Sequence, residues 1–565
     1  MTTWYLGLAT SGHDPALAIV DETGQVVYAE ATERFLQDKR AWGISPDHPP
    51  HLERALKICG ASPETDTFIV GTTWKAMKAQ MDVKIHDAML PALDTLWMRG
   101  LNGSLQAMAG HSLLRLGVTP DRQRLLRHEH HLCHAVTAAW FAPLSDALVL
   151  VLDGEGDVGA VSAYALEDRA LKRLWRSWGP GSLGTFYGWL TFRCGFDWRL
   201  GEEWKVMGLA AYGRVIPHLR AALQTLLTVK DGRLLFAAAD RIAEVQQMAS
   251  TYARTISEPP MQAADLAATG QAAYAALADA VIGDLLAQQE GPGPFDLLLC
   301  GGCALNSSYN GAVANRLGLR SLHVPPCPAD DGNAIGAALL SWMQDRRVPT
   351  IPASPDCTPF LGMEAGLSGR DLRPHVRGFE VKDVSGNTAA AVAEALAQGR
   401  VVGTFRGRAE FGPRALGNRS ILADPARAGM KDHINAIIKG REAYRPFAPV
   451  LRARDTADWF TSAEASPYMS KTLFWRQERQ DQVQAVVHAD GTGRAQTVTP
   501  EMYPWMHDLL DETERRTGQA VLLNTSFNIM GKPIIDTVED ALAVLSTTGL
   551  DTVLAGDLLI SKPFG

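Results

Sequence analysis

Cysteine is scarce in this chain, with seven in 565 residues at positions 59, 133, 194, 300, 303, 327 and 357. They are too few and too scattered for a disulfide framework. Long apolar runs are missing as well, and nothing approaches the roughly 18 residues of a membrane span. The first residues, Met1 to Ser11, lack the basic start and apolar stretch of a signal peptide. There is no excess of positive charge: 54 Lys and Arg face 62 Asp and Glu, a formal net charge of −8. That balance argues against a nucleic-acid-binding surface. Glycine and proline, 51 and 31 residues, stay well below low-complexity levels. No Walker A string occurs, which disfavours a P-loop mechanism. The expectation is a cytoplasmic protein of at least two domains, because single cores rarely grow past about 250–300 residues.

What is present reads as an α/β protein. Trp4-Tyr-Leu-Gly-Leu8, Ala16-Leu-Ala-Ile-Val20 and Gln25-Val-Val-Tyr28 are strand-like runs parted by turns, a three-strand meander. Ala147 to Leu152 is a buried strand that ends at Asp153-Gly-Glu-Gly-Asp157. Phe295 to Cys300 is another, turning at Gly301-Gly302 into a helix from Ala304. Leu322-His-Val-Pro precedes a helix that starts near Gly332. Polar groups thus gather where strands end, the usual ligand edge of α/β sheets. Residues 215–290 read as Ala/Leu-rich and helical, without nameable chemistry, and no internal repeat is visible. The proline-rich stretch from Arg346 to Pro359 is the best linker, giving domains 1–355 and 356–565. The second domain reads as α/β too, from Thr388 to Gln398 (helix) and Val401 to Phe405 (strand) onward.

The densest chemical signal is His128-Glu-His130-His131-Leu-Cys-His134. On a helix His130 and His134 share a face and could hold one metal ion, although such a cluster can also be a solvated surface. Asp153 and Asp330, both at turns after strands, are the carboxylates available to complete it. Cys300-Gly-Gly-Cys303 has redox or half-zinc-site spacing, but no second pair exists, and two small residues at a glycine turn is the favoured reading. The glycines of Asp153-Gly154-Glu-Gly156 and Gly301-Gly302 permit close approach of backbone N–H groups to an anion. Arg406, Arg408, Arg414, Arg419, Lys439, Arg441 and Arg445 crowd into 40 residues beside Gly, Pro and Asn. This suits an anion cradle in which Arg forks supply paired donors, with a solvated basic loop as the alternative. Asn524-Thr-Ser526-Phe-Asn528 adds hydroxyl and amide groups at a strand end. Trp42, Trp189 and Trp198 could line an apolar acceptor pocket, though core packing is the favoured role for each.

Together these strings resemble the carbamoyltransferase family of the nodulation, cephem and aminoglycoside pathways (NodU/CmcH type). The resemblance rests on Ser11-Gly-His-Asp-Pro-Ala16, Glu33-Arg-Phe35, His130-His-Leu-Cys-His-Ala135, Asp153-Gly-Glu-Gly-Asp157 and Gly201-Glu-Glu-Trp-Lys-Val-Met-Gly-Leu-Ala210. It continues through Gly301-Gly-Cys-Ala-Leu-Asn306, Gly407 to Leu422, Ile438 to Pro449 and Leu523 to Asn528, and so covers nearly the whole chain. The segment after Phe35 departs from it, reading Leu36-Gln-Asp-Lys-Arg-Ala-Trp42 where the family more often has Thr-Arg-x-Lys-His. The resemblance implies an actin/hexokinase-like (threonylcarbamoyl-transferase-like) first domain and a YrdC-like α/β second domain. It implies a divalent metal, Fe(II) with Mn or Zn as alternatives, on His130, His134, Asp153 and Asp330, and a nucleotide near Gly154, Gly156, Gly301, Gly302 and Asn306. Carbamoyl phosphate and Mg-ATP would meet Arg414, Asn418, Arg419, Lys439, Arg441, Arg445, Ser526 and Asn528 in the second domain. His13 would serve as base, with Lys39 and Arg494 as catalytic cations.

The implied reaction is an ATP-dependent O-carbamoyltransfer through carbamoyl-adenylate to a hydroxyl of a small, secondary-metabolite acceptor, as in antibiotic biosynthesis. Neither nucleic acid nor membrane is an expected partner, and a homodimer is compatible. Two other readings compete. A small-molecule kinase of the actin-like superfamily would leave Lys439-Gly-Arg441 and Ser526-Phe-Asn528 idle. A nucleotide-dependent scaffold would bind ATP without needing carbamoyl phosphate.

Overall fold

The computed structural model describes residues 2–75, 89–90, 92–291, 293–367, 372 and 374–563. The chain divides into two compact units: Met1–Glu33 with Arg40–Ser354, and Arg34–Lys39 with Pro355–Gly565. Six residues of the N-terminal region, Lys39 among them, therefore belong to the second unit. No described helix is long and apolar enough to cross a membrane.

The first unit begins with the meander β1 (Thr3–Ala9), β2 (Ala16–Val20) and β3 (Val26–Ala31), followed by β4 (Thr67–Thr72) and β5 (Gln123–Arg127). They form a sheet of order β3-β2-β1-β4-β5, antiparallel within the meander and parallel from β1 to β5. A second sheet uses β6 (Ala147–Leu152), β7 (Val161–Glu167) and β8 (Ala170–Arg176). After the separate hairpin β9 (Leu227–Lys230) and β10 (Arg233–Phe236), it is completed by β11 (Asp296–Cys300) and β12 (Ser321–His323). Its order is β12-β11-β6-β7-β8, again an antiparallel meander joined through its first strand to two parallel strands. The same five-strand topology therefore occurs twice. This duplication is the actin/hexokinase-like arrangement, and no residue-by-residue repeat in the sequence reveals it. The hairpin also shows that residues 215–290 are not helical throughout.

Two helices carry the ligand edge. Helix His130–Phe141 is buried along almost its whole length, with Leu132 the one residue not fully so. It packs on β6, β7 and β11. A helix buried all round belongs to a core, and any polar side chain on it must find partners. Helix Asn333–Arg346 packs on β1, β2 and β4 and also against His130–Phe141, so it joins the two halves of the duplicated unit. Gly301, just past β11, has φ +88° and its missing Cβ would meet the Leu152 carbonyl at the end of β6. Only glycine lets the turn close against the neighbouring strand there.

The second unit places its strands β13 (Glu380–Asp383), β14 (Val402–Phe405), β15 (Arg419–Ala423), β16 (Ala448–Arg452), β17 (Lys471–Phe474), β18 (Thr492–Val498), β19 (Val521–Ser526), β20 (Thr552–Ala555) and β21 (Leu558–Ser561) in one mixed sheet. The order is β13-β21-β20-β14-β15-β19-β16-β18-β17, nine strands among the described residues. Hydrophobic clusters built on Phe405, Phe447, Leu451, Leu523 and Phe527, and on Val392, Leu396, Leu422, Leu509 and Leu522, fill the space beside it. Strand β19 runs three residues beyond Leu523, so Asn524 lies inside the strand instead of after it. Its amide is buried and donates to the Gln496 side chain at 2.7 Å, as a sheet interior requires of a polar group.

Candidate functional site

Helix His130–Phe141 starts at the second histidine of the sequence cluster, with Glu129 at its N-cap. Position i and i+4 then bring the two rings onto one face. The Nε2 atoms of His130 and His134 lie 3.3 Å apart. Asp153, directly after β6, brings Oδ2 to 3.2 Å from His130 Nε2 and 3.3 Å from His134 Nε2. Asp330, in the turn before helix Asn333–Arg346, brings Oδ1 to 3.4 and 3.5 Å of the same atoms. The four ligand atoms all lie within 4.8 Å of one another, and all four residues are buried. Of the adjacent pair, Asp331 turns its Oδ1 to the Gly332 backbone N–H, and burial pushes its carboxyl up to about 7.

The surroundings fix these donors. The Gly302 N–H donates to Asp153 Oδ1 at 2.9 Å, the Trp74 ring stacks on His130 at 3.9 Å, and Asp157 accepts the backbone N–H of His130 at 2.7 Å. Asp157 and Trp74 are residues that sequence reasoning did not assign, although Asp157 closes the Asp153-Gly-Glu-Gly-Asp157 string. The other two histidines go elsewhere. His128 Nε2 meets the Ser341 hydroxyl and His131 Nδ1 meets that of Ser162, and burial lowers them to about 4 and about 3. Two buried imidazoles and two buried carboxylates aimed at one point form the donor set that suits a first-row divalent cation. The residues present fit a metal.

Around this centre the glycine turns divide. Gly154 faces open space, whereas a Cβ on Gly156 would strike the His131 ring. Asn306 is spent inside the fold: its side chain caps helix Ser307–Leu317 through the Tyr309 N–H and pairs with Gln271. All seven cysteines are free thiols, and burial raises both Cys300 and Cys303. Trp189 and Trp198 are 3% and 9% exposed in the core, while Trp42 sets its ring edge-on to His13 at 5.0 Å. His13 hydrogen-bonds Asp14 through Nδ1 at 2.8 Å. Glu203 lies near the same group, its carboxyl raised by burial against the pull of Arg40.

In the second unit the basic string separates into builders and donors left over. Arg419 is fully buried, and its guanidinium donates to the carbonyls of Arg406, Asn418, Met363 and Gly407. Asn418 is likewise engaged, giving its amide to the Arg408 carbonyl and accepting from the Tyr503 hydroxyl. Glu410, which sequence reasoning passed over, gathers the N–H groups of Leu416, Asn418 and Arg419 on one carboxylate oxygen. These residues hold the loop in place.

Arg414 makes no hydrogen bond or ion pair among the described residues. Lys439 donates to the Ser526 carbonyl and hydroxyl and, at 2.6 Å, to Asn528 Oδ1. Burial, then Arg441 and Arg445, lowers its pKa well below the lysine range. Arg441 donates through Nε to Asn435 at 2.7 Å, but its buried Nη2 has no hydrogen-bond partner among the described residues. Burial, then Arg414, Arg441 and Arg445, depresses Arg494 on β18, whose buried Nε also lacks a hydrogen-bond partner among the described residues. Arg445 reaches Glu442 at 3.6 Å. Lys39 is exposed in the short segment Arg34–Lys39.

Comparison with known proteins is consistent across the chain. Residues 5–339 match the family described as Carbamoyltransferase N-terminus, and residues 393–562 the one described as Carbamoyltransferase C-terminus. The nodulation protein NolNO of Sinorhizobium fredii is 34% identical over 97% of this chain and 79% of its own. The 3'-hydroxymethylcephem-O-carbamoyltransferase of Streptomyces clavuligerus is 33% identical over 76% of this chain and 79% of its own. Among solved structures, HypF of T. kodakarensis aligns with TM-score 0.35 and 13% identity over 61% of this chain and 48% of that one.

Proposed function

The chain belongs to the carbamoyltransferase family, and from that premise we propose that it is an ATP-dependent O-carbamoyltransferase working in two steps. In the second unit carbamoyl phosphate and ATP combine to carbamoyl-adenylate, and in the first unit the carbamoyl group passes to a hydroxyl of a small acceptor. The observation that carries this reading is the second unit's set of cations, buried Lys439 with half-buried Arg414, Arg441, Arg445 and Arg494, beside which Glu442 stands 3.6 Å from Arg445. Burying so much positive charge is costly unless a polyanion arrives to share it. Two phosphorylated substrates supply that anion, and guanidinium forks stabilise the charge that builds on transferring phosphates.

A metal on His130, His134, Asp153 and Asp330, for which Fe(II) is the first candidate and Mn or Zn the alternatives, would polarise the carbamoyl carbonyl and hold phosphate oxygens. An alcohol is a weak nucleophile at neutral pH and needs a base. His13, partly exposed beside that cluster, takes this role, and Lys39 and Arg494 are the cations proposed to stabilise developing oxyanion charge. Gly154, which faces open space, is the backbone site offered to the nucleotide, with Gly301 and Gly302 as the side-chain-free turn beside it. The acceptor is proposed to be a hydroxylated secondary metabolite, in line with the hydroxymethylcephem named for one relative.

Incubation with ATP and carbamoyl phosphate tests the reading: pyrophosphate and carbamoyl-adenylate are expected. ADP formed with a sugar would point to a kinase, and absence of turnover to a scaffold. Hydroxylated metabolites offered in parallel should gain the mass of one carbamoyl unit.

A further inference from the structure

The His13 turn carries more construction than a lone base needs. Asp14, Arg40 and Ala41 all have left-handed backbone, with φ of 52°, 63° and 40°. Such conformations cost roughly 1 kcal/mol or more each outside glycine and persist where the surroundings enforce them. Here the enforcement is visible. The Asp14 N–H donates to the Arg40 carbonyl at 2.9 Å, and the Gly43 N–H to the Gly12 carbonyl at 2.9 Å, so the two loops are laced together. The Arg40 N–H donates to Glu33 Oε2 at 2.9 Å.

The side chains are equally committed. The Arg40 guanidinium grips the Asp14 carboxylate through Nη2 at 2.8 Å and Nε at 3.2 Å. Its Nη1 is anchored on the Trp198 and Arg199 carbonyls at 3.0 and 3.2 Å. The same Asp14 Oδ2 lies 2.8 Å from His13 Nδ1, while His13 Nε2 has no hydrogen-bond partner among the described residues. Trp42 limits rotation of the imidazole from the side and is itself fastened to the Arg199 carbonyl at 2.7 Å.

We propose that Arg40 and Asp14 are positioning residues that hold His13 in the tautomer with hydrogen on Nδ1, leaving bare Nε2 to take the acceptor hydroxyl's proton. This inference rests on the reading of His13 as the base. As the new bond forms between the acceptor oxygen and the carbamoyl carbon, the hydroxyl proton moves to Nε2. The anhydride bond breaks with its electron pair leaving on AMP, and the imidazolium later returns its proton to solvent. Arg40 keeps Asp14 ionised: burial works to raise its carboxyl, but the Arg40 charge and the His13 hydrogen bond outweigh that and hold it well below the usual carboxylate range. Asp14 therefore stabilises the imidazolium without taking its proton, the division of labour that an orienting carboxylate performs for a general base.

The test is the tautomer itself, read by 15N NMR on the full chain labelled at histidine ring nitrogens. The His13→Ala spectrum identifies the His13 signals, and the buffer is kept well above the ordinary histidine pKa of about 6.5. Wild type should show Nδ1 hydrogen-bearing and Nε2 bare. In Asp14→Asn the amide oxygen should stay with Arg40 and turn the NH2 to His13, moving the hydrogen to Nε2. Transfer should then fall on the order of 10⁴-fold, with adenylate formation unchanged. A wild-type His13 with hydrogen on Nε2 overturns the proposal even if the variant does not fold, and so does an unchanged Asp14→Asn spectrum. If instead His13→Ala still carbamoylates acceptor, the base assignment has failed and not this one.

Discussion

The two units solve the problem of buried charge in opposite ways. In the first, two imidazoles face two carboxylates at 3.2 to 3.5 Å, so the donors compensate one another and converge on a point. In the second, cations crowd one another: beyond burial, Arg441 and Arg445 press on Lys439, and Arg414, Arg441 and Arg445 on Arg494. The first arrangement suits a cation, the second ligands with several negative charges. On the proposed reading, phosphate chemistry and alcohol activation then take place in separate electrostatic settings.

That contrast breaks most visibly in a pair of variants. Arg441→Ala should cut pyrophosphate release by about 10²–10³-fold, the usual cost of losing a charged donor to a developing phosphate charge. His13→Ala should leave that step intact and stop carbamoyl transfer. Both variants failing at the same step, as followed by separate pyrophosphate and acceptor-mass assays, would end the two-site division. The first unit is probed next by His130→Ala, which should lose nearly all bound metal in elemental analysis while Arg441→Ala keeps it. Full occupancy in the His130 variant would remove that ligand from the set.

How much of this the sequence could say depends on what each residue must know about its surroundings. The meeting of His130 and His134 follows from helical spacing alone, and Asp153 follows from a strand that stops at a glycine turn. The Arg40–Asp14 grip joins residues 26 apart through left-handed backbone, which no local pattern encodes. Arginines of identical appearance in the string from Gly407 to Ser420 turn out to differ completely. Arg419 spends four donations on carbonyls, whereas Arg414 has none among the described residues. Residue type announces a donor but not whether the fold has already consumed it. Asn306 makes the same point, an amide in a nucleotide-type string whose bonds go to a helix cap and to Gln271. The duplicated sheet escaped detection because strand order is conserved by connectivity and packing, and neither needs repeated side chains.

The smallest expected effect sharpens the comparison through stability. Lys439 is 3% exposed, and burial with Arg441 and Arg445 holds its pKa well below that of a free lysine. Between that folded value and the ordinary value of about 10.4, the unfolded chain carries a proton that the folded chain has released. Stability of the ligand-free protein therefore rises with pH across this window, and the penalty is fully present below it. Lys439→Met removes the buried charge and, with it, this part of the slope. The substitution should stabilise the ligand-free protein by about 1 kcal/mol, the lower range for replacing buried charge with apolar volume. The lost bonds to Ser526 and Asn528 keep the gain small. The same change should abolish the rise in melting temperature that carbamoyl phosphate gives the wild type, because binding to the folded state alone is what raises it. Urea titrations at several alkaline pH values settle the matter. A variant whose pH slope equals the wild type's would show that the lysine's charge is compensated within the fold, and the electrostatic contrast between the two units would lose its second half.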